Sequence, residues 1–231
     1  MGNEASKTRD TWNSEFRQIL AGKGLDIGAG ADPIAPTAQV FDLQHGDAAR
    51  IDEFLNDSYD YVFSSHCLEH MRDPTDALRR WWSLVRPGGH LILIVPEETL
   101  YEQGFWPSIF NDDHKATFRL VEQTWSPVSF RVQDLVAELE GVASQEITIQ
   151  NHGYVEWGPP RPVFPRSVPR VRLWLFKKVR KFMASIKQYP DWRFLIRLGV
   201  PVDQTAFGAL AQLQIVLRKK EIGRASCRER V

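Results

Sequence analysis

The stretch Gly24-Leu25-Asp26-Ile27-Gly28-Ala29-Gly30 joins a short apolar run to two closely spaced glycines. The run predicts a buried β-strand, and the glycines predict a turn in which backbone N–H groups can approach a ligand closely. A dinucleotide fingerprint would need a third glycine at position 33, where the chain has Pro33. The stretch therefore predicts a strand with a ligand-binding turn at its end, and it disfavours NAD and FAD.

Apolar strands alternate with amphipathic helices through the first two thirds of the chain. Strands are predicted at residues 24–28, 38–43, 59–64, 90–95, 146–150 and 209–217. Asp73 and Pro74 predict the start of a helix, and apolar residues at helical spacing predict another over 132–139. Pro87-Gly88-Gly89 is expected to break the chain before the strand at 90–95. This order favours a mostly parallel sheet covered by helices.

The composition suits one compact domain without a global preference for nucleic acid or membrane. Of the 231 residues, 43% are apolar and 25% are charged, and 29 basic side chains balance 29 acidic ones. The apolar runs are too short to span a bilayer, and the first residues lack the apolar region of a signal peptide. We expect a cytoplasmic protein that binds no nucleic acid.

A basic segment interrupts this balance before the last predicted strand. Residues 161–197 hold eleven basic residues and one acidic residue, Asp191, which gives a local charge of about +10. Several prolines precede apolar residues at helical spacing, so a helical insertion or lid is predicted over 161–200. A solvated helical surface is the alternative. As a lid, the segment would attract an anionic or phosphate-bearing small molecule, with peripheral membrane contact as a further option.

The last residues are set apart from the predicted domain, which covers residues 1–220. Residues 221–231 read EIGRASCRERV, which resembles the translation of a sequencing adaptor, and we expect them to be disordered. Without them Cys67 is the only cysteine, so neither a disulfide framework nor a cysteine zinc site is predicted. The oligomeric state is left open.

Acidic residues follow the predicted strand at 38–43. Asp42 lies at its end, where a carboxylate can accept both hydroxyls of a ribose. Asp47 follows in a short loop, where it can accept a hydrogen bond from an adenine amino group. These two positions indicate an adenosine site.

In this order, the motifs resemble those of the class I S-adenosylmethionine-dependent methyltransferases, in the branch with small Rossmann-like domains. The matching stretches are residues 25–30, Asp42, 46–48, 60–66, 68–70 and 84–89. The resemblance implies a Rossmann-like seven-stranded α/β sheet with helices on both faces, S-adenosylmethionine as cofactor and methyl transfer as the activity. The sequence departs from the family pattern in two places. Asp32 stands where a third glycine is frequent in the family. Only twelve positions separate Gly30 from Asp42, which leaves little room for a first helix.

The resemblance also implies roles for single residues. Asp26, Gly28 and Gly30 would surround the methionine part of the cofactor. Asp42 would bind the ribose, and Asp47 and Ala48 would lie beside the adenine. Ser65 and His66 would face the transferring methyl group. Relatives in sugar and glycan pathways favour a carbohydrate hydroxyl, or that of a similar metabolite, as the acceptor.

Two histidines are candidates for the base that removes the acceptor proton. His114 follows the strand at 90–95, where the family builds acceptor contacts, and Asp112 or Asp113 could orient its ring. A surface or capping histidine is the alternative. His66 is the reserve candidate.

The spacing His66-x-x-Glu69-His70 would place two histidines on one helical face, as a metal site requires. In some members of the family a metal binds near this position, but in most the Leu-Glu-His stretch is structural, so no metal is expected. Two rival functions remain: a non-catalytic binding module with the same fold, and a nucleotide-sugar or dinucleotide enzyme, which Pro33 disfavours.

Overall fold

The central sheet has the order β2-β1-β3-β4-β8-β7 in the computed structural model, which describes residues 4–156, 178, 193, 196 and 201–221. Its strands are β1 (Gly24–Ile27), β2 (Gln39–Phe41), β3 (Tyr59–Ser65), β4 (Val85–Pro96), β7 (Val142–Gln150) and β8 (Gln212–Lys219). A separate two-stranded sheet pairs β5 (Thr117–Arg119) with β6 (Ser129–Arg131). The predicted α/β class is confirmed. The described part of the chain has six strands in the main sheet, compatible with the seven expected.

Parallel pairing joins β2 to β1, β1 to β3 and β3 to β4, whereas β8 runs antiparallel to both β4 and β7. β2 therefore lies on one side of β1, and β3, the next strand in the chain, lies on the other side. Ligands bind at such a switch point, outside the carboxyl ends of the strands. The topology therefore places a binding site at the ends of β1, β2 and β3.

Helices cover both faces of the sheet, as predicted. They are α1 (Glu4–Asp10), α2 (Ser14–Arg17), α3 (Pro74–Ser83) and α4 (Val132–Ala137). One buried cluster joins α3 and α4 to inward residues of the sheet such as Leu91 and Leu93. A second cluster joins Trp12 and Ile34 to Phe63 and Ile92 on the opposite face. Because side chains alternate along a strand, β3 and β4 contribute to both clusters.

The start of α3 follows the predicted chemistry. The Asp73 side chain accepts a hydrogen bond from the Asp76 backbone N–H, and Pro74 occupies the first turn, where its missing N–H leaves no bond unmade. The predicted apolar face of this helix, including Leu78 and Trp81, is buried.

The strand predicted at 90–95 begins earlier than expected. β4 starts at Val85 and continues through Pro87-Gly88-Gly89, so the predicted break there is wrong. The residues between Val85, which pairs with Tyr59, and His90, which pairs with Tyr61, form an irregularity in the ladder. A Cβ at position 89 would lie 2.8 Å from the Asp60 carbonyl oxygen, so glycine lets the two strands stay paired.

Two sequence predictions fall largely outside the described residues. Of the basic insertion at 161–200, the structure describes only Lys178, Arg193 and Ile196. Of the predicted disordered tail, it describes only Glu221. Among the described residues, no helix has the length and apolar character needed to cross a membrane.

Candidate active site

The loop after β1 depends on two glycines with positive φ. Gly28 has a φ of 79° and Gly30 has a φ of 57°, backbone angles that residues other than glycine rarely adopt. A Cβ on Gly28 would lie 3.0 Å from the Cys67 side chain, whereas a Cβ on Gly30 would meet nothing within 4 Å. The loop therefore packs against the turn after β3 at Gly28 and faces open space at Gly30.

The Asp26 carboxyl organises this loop from inside the protein. Its Oδ2 accepts a hydrogen bond of 2.7 Å from the Ile34 N–H, and only 1% of the residue is exposed. Its Oδ1 is buried with no hydrogen-bond partner among the described residues. Burial raises the pKa of Asp26 to about 7, and the nearby carboxylates Asp32 and Asp42 add to the shift. Asp26 holds the shape of the loop that contains the two glycines.

Asp42 projects from the end of β2 toward the same loop. Its Oδ2 accepts a hydrogen bond of 2.9 Å from the Gly30 N–H, and its Oδ1 accepts one of 2.9 Å from the Leu43 N–H. Each carboxylate oxygen keeps a second acceptor site. The carboxylate is thus oriented and partly exposed, and it can still accept hydrogen bonds from a ligand. Leu43, which sequence reasoning missed, is 92% exposed beside it and offers an apolar surface.

Asp47 and Ala48 lie where a short 3-10 helix, Ala48–Glu53, begins. The exposed Asp47 accepts a hydrogen bond of 2.9 Å from the Ala49 N–H. The Ala48 carbonyl accepts one of 2.8 Å from the Trp81 indole N–H of α3. This part of the predicted adenine site is therefore fixed to α3.

Ser65 and His66 follow at the carboxyl end of β3. The Ser65 hydroxyl is buried without a hydrogen-bond partner among the described residues. His66 has φ of 53°, and its N–H donates to the Ile94 carbonyl over 2.9 Å. Its Nε2 lies 3.1 Å from Gln212 Oε1 and its Nδ1 lies 3.3 Å from Glu69 Oε1, while 21% of the side chain is exposed. Both ring nitrogens are held, yet the ring reaches the surface.

His114 lies deeper, with 3% of its side chain exposed. Its Nδ1 is 2.6 Å from Glu102 Oε1, and its Nε2 is 4.0 Å from Glu69 Oε1. The expectation that Asp113 orients this ring is wrong, because the Asp113 carboxylate lies against His70 and Lys115 and the carboxylate at Nδ1 of His114 is that of Glu102. Glu102 ends a π-helical turn, Glu98–Glu102, that directly follows β4.

Glu69 lies between these histidines in a 3-10 turn, Leu68–His70. Burial favours the neutral form of its carboxyl, but the neighbouring rings of His66, His114 and His70 outweigh it and lower its pKa. The Glu69 carbonyl accepts hydrogen bonds from the N–H groups of Lys115 and Ala116, at 2.7 and 3.1 Å. These backbone bonds tie the turn after β3 to the segment that contains His114.

The structure brings the predicted residues together in two adjoining groups. The first group, at the ends of β1 and β2, contains Asp26, Gly28, Gly30 and Asp42. The second group, after β3, contains His66, Glu69, His70 and His114, with Cys67 packed against Gly28 between the two groups. Glu102 was not predicted as a site residue, because acidic residues are common in loops and nothing in the neighbouring sequence distinguishes this one.

Residues 18–93 match the model of a family described as methyltransferase domain. The match covers β1, β2, β3, α3 and most of β4, which together form the switch point of the sheet. About a third of the chain therefore resembles a methyltransferase domain.

Several solved methyltransferases resemble this chain at low sequence identity. One is an S-adenosylmethionine-dependent methyltransferase from Archaeoglobus fulgidus, at 14% identity and a TM-score of 0.49, with 94% of this chain and 95% of that chain covered. Another is the Haemonchus contortus phosphoethanolamine N-methyltransferase 2 in complex with S-adenosyl-L-methionine, at 17% identity and a TM-score of 0.44, with 86% and 49% covered. A search of curated protein sequences gave no match.

The residues at the switch point have the chemistry that an adenosine-containing ligand such as S-adenosylmethionine would require. The loop faces open space at Gly30, the Asp42 carboxylate is oriented for hydroxyl groups, and Leu43 exposes an apolar side chain next to it. The buried Ser65 hydroxyl at the end of β3 has no hydrogen-bond partner among the described residues. A polar group of a ligand could supply that partner.

Proposed function

We propose that this protein is a class I S-adenosylmethionine-dependent methyltransferase that methylates a hydroxyl oxygen of a small acceptor, bound at the carboxyl end of β3. The observation that carries the proposal is the series His66, Glu69, His114 and Glu102, in which imidazoles and carboxylates alternate at contact distances of 3.3, 4.0 and 2.6 Å. A hydroxyl acceptor must lose a proton as its oxygen takes the methyl group. An alternating series of this kind can hold such a proton and stabilise its charge.

When bound, the cofactor would supply an electrophilic methyl group. The acceptor oxygen would form a bond to the methyl carbon as the carbon–sulfur bond breaks in line with it, so that S-adenosylhomocysteine leaves and the hydroxyl proton passes to a base. Alignment of the acceptor then accounts for much of the rate. Gly28, Gly30 and Asp42 are proposed to hold the cofactor, with Asp47 and Ala48 beside its adenine. Asp26 supports their loop, and Ser65 lies next to the reacting atoms.

We assign proton removal to His66 in preference to His114, because His66 reaches the surface, where an acceptor hydroxyl can replace Gln212 at its Nε2, and His114 is buried against Glu102. Glu69 contacts the His66 ring and can stabilise its protonated form. His114 then acts through Glu69 as a positioning residue.

The acceptor is proposed to be a sugar, a glycan precursor or a similar metabolite with an anionic or phosphate group. The family resemblance favours the hydroxyl. The charge of about +10 over residues 161–197 favours the anion, since a basic segment raises the local concentration of anionic ligands. Peripheral contact with an anionic membrane would use the same charges.

The test measures S-adenosylhomocysteine formation with a panel of hydroxyl acceptors, each supplied with and without a phosphate group. His66→Ala should lower turnover by about 100-fold on any acceptor that the wild type uses, while cofactor affinity stays unchanged. His152→Ala, which removes an exposed histidine, is the matched control and should behave as wild type.

Three outcomes would count against parts of the proposal. Full turnover by His66→Ala would leave alignment as the main source of rate and remove the proton route. Equal use of neutral and phosphorylated acceptors at all salt concentrations would remove the anionic preference. Tight cofactor binding without turnover on any acceptor would favour a non-catalytic binding module.

A further inference from the structure

Three side chains from two segments converge beside the candidate active site. Glu69 and His70 come from the turn after β3, and His114 comes from the segment that precedes β5. Each offers one ligand atom, and these atoms all lie within 4.8 Å of one another. We propose that Glu69, His70 and His114 bind a divalent transition-metal ion.

The buried carboxylate of Glu69 is the first argument for a cation. The residue is 1% exposed, and neither carboxylate oxygen has a well-formed hydrogen bond among the described residues. A buried charge without hydrogen bonds is costly, and such groups in proteins are paired or coordinate metals. The His66 ring at 3.3 Å compensates this carboxylate only in part, so a bound cation would supply the missing partner.

The orientation of the two histidines is the second argument. The Nδ1 atom of His114 lies 2.6 Å from Glu102, and that of His70 lies 3.0 Å from Asp113. A carboxylate at Nδ1 places the ring proton there and leaves the lone pair on Nε2, the arrangement found behind many metal-bound histidines. Nε2 of His114 is the nitrogen on the Glu69 side.

The donor set selects the class of metal. Two imidazoles and one carboxylate suit Zn²⁺, Co²⁺ or Fe²⁺, whereas Mg²⁺ and Ca²⁺ prefer sites made of oxygen ligands. Three protein ligands leave a coordination position open for a small molecule, as catalytic zinc sites do. Bonds of about 2.1 Å place the ligands of a tetrahedral site about 3.4 Å apart, so small side-chain rotations must close the cluster.

The backbone already holds the two segments at the required spacing. The Lys115 and Ala116 N–H groups donate to the Glu69 carbonyl, so His114 and Glu69 cannot separate without breaking these hydrogen bonds. The site does not use His66, the member of the predicted histidine pair that lies nearest the end of β3. Metal binding goes beyond the proposed function and does not depend on the identity of the acceptor.

The experiment uses the full chain, stripped of metal with a chelator, and no acceptor. Calorimetric titration with Zn²⁺ should show one site per chain, and Co²⁺ should give the visible absorption of a low-coordinate complex. His70→Ala and His114→Ala should each weaken Zn²⁺ binding by at least about 100-fold and abolish the Co²⁺ band. Glu102→Gln changes a side chain that contacts His114 at Nδ1 and should weaken binding by about 10-fold.

His152→Ala is the control and should bind Zn²⁺ as the wild type does. Because it keeps both cysteines and residues 221–231, it also controls for Zn²⁺ bound by those residues. His70→Ala is the more informative ligand variant, because His70 is partly exposed and its loss leaves the buried His114–Glu102 pair intact. Absence of a stoichiometric Zn²⁺ site in the wild type would overturn the proposal. Equal Zn²⁺ affinity in folded His70→Ala and wild type, checked by circular dichroism, would overturn it as well. Neither result would affect cofactor binding, so failure here is distinguishable from failure of the proposed function.

Discussion

Asp42 has both carboxylate oxygens held by backbone N–H groups, one from the glycine loop and one from its own neighbour. If this carboxylate binds the ribose hydroxyls, Asp42→Ala should weaken S-adenosylmethionine binding by about 2–4 kcal/mol, because two hydrogen bonds to a charged acceptor are lost. Isothermal titration calorimetry measures the change. Asp42→Asn keeps an acceptor oxygen and should show a smaller loss.

The control for this prediction is Asp57→Ala, which removes an exposed carboxylate paired with Lys23 on the surface. Its cofactor affinity should equal that of the wild type. If Asp42→Ala binds the cofactor as tightly as this control, the ribose contact lies elsewhere and the assigned site is wrong.

Sequence reasoning succeeded for residues whose role depends on local chemistry. The positive φ angles of Gly28 and Gly30 and the position of Asp42 at a strand end follow from short stretches of chain. The partner of His114 could not be predicted in the same way. Glu102 lies twelve residues before it, and their contact depends on the π-helical turn after β4. The adjacent Asp112 and Asp113 were the natural candidates from the sequence, but the Asp113 carboxylate contacts His70 and Lys115 instead.

At the scale of elements, side chains and backbone of α1 hold the loop between β1 and β2, which contains Gly28 and Gly30. The Asp32 carboxylate accepts a hydrogen bond of 2.8 Å from the Ser6 N–H and another from the Ser6 hydroxyl, and Arg9 donates to the Ile34 carbonyl over 3.0 Å. Asp32 stands where a third glycine is frequent in the family, so this contact replaces a feature of the usual loop. The loop between β1 and β2, which is fully described, contains no helix, as its length predicted.

Asp32→Ala should therefore loosen the loop and weaken S-adenosylmethionine binding by about 0.5–1.5 kcal/mol, less than Asp42→Ala does. Hydrogen exchange at the Ile34 amide should become faster, because its segment loses an anchor. Asp10→Ala, which removes an exposed carboxylate at the end of the same helix, is the control. Unchanged exchange and unchanged affinity in Asp32→Ala would mean that α1 does not support the loop.

The start of α3 was predicted correctly from the local sequence, whereas the start of β4 was not. Asp73 and Pro74 define the start of α3 through bonds made within a single turn. The start of β4 depends on pairing between Val85 and Tyr59, which are distant in sequence. Pro87-Gly88-Gly89 has the composition of a break, but the ladder accommodates it as an irregularity.

At the scale of the whole molecule, two buried carboxyl groups couple stability to pH. Burial raises the pKa of Asp26 to about 7 and that of Glu97, whose Oε2 accepts the N–H groups of Thr99 and Leu100, to about 7. The ordinary values are 3.8 and 4.5. Between these values and about 7 the folded state binds more protons than the unfolded state, so both groups lower the free energy of unfolding as pH rises.

Asp26→Asn should remove the contribution of Asp26, because an amide does not ionise and its oxygen can still accept the Ile34 N–H. The variant should gain stability over the wild type as pH rises from 5 to 8, by at most about 3 kcal/mol, because about two pKa units of the shift lie between pH 5 and the folded-state pKa of about 7. Urea unfolding at several pH values measures the difference between the two proteins, which cancels groups with lowered pKa values such as Asp60. Asp57→Asn, at an exposed position, should show no such trend. A difference between Asp26→Asn and wild type that is the same at pH 5 and pH 8 would mean that Asp26 is already ionised at pH 5 in the folded protein, so that its burial does not raise its pKa.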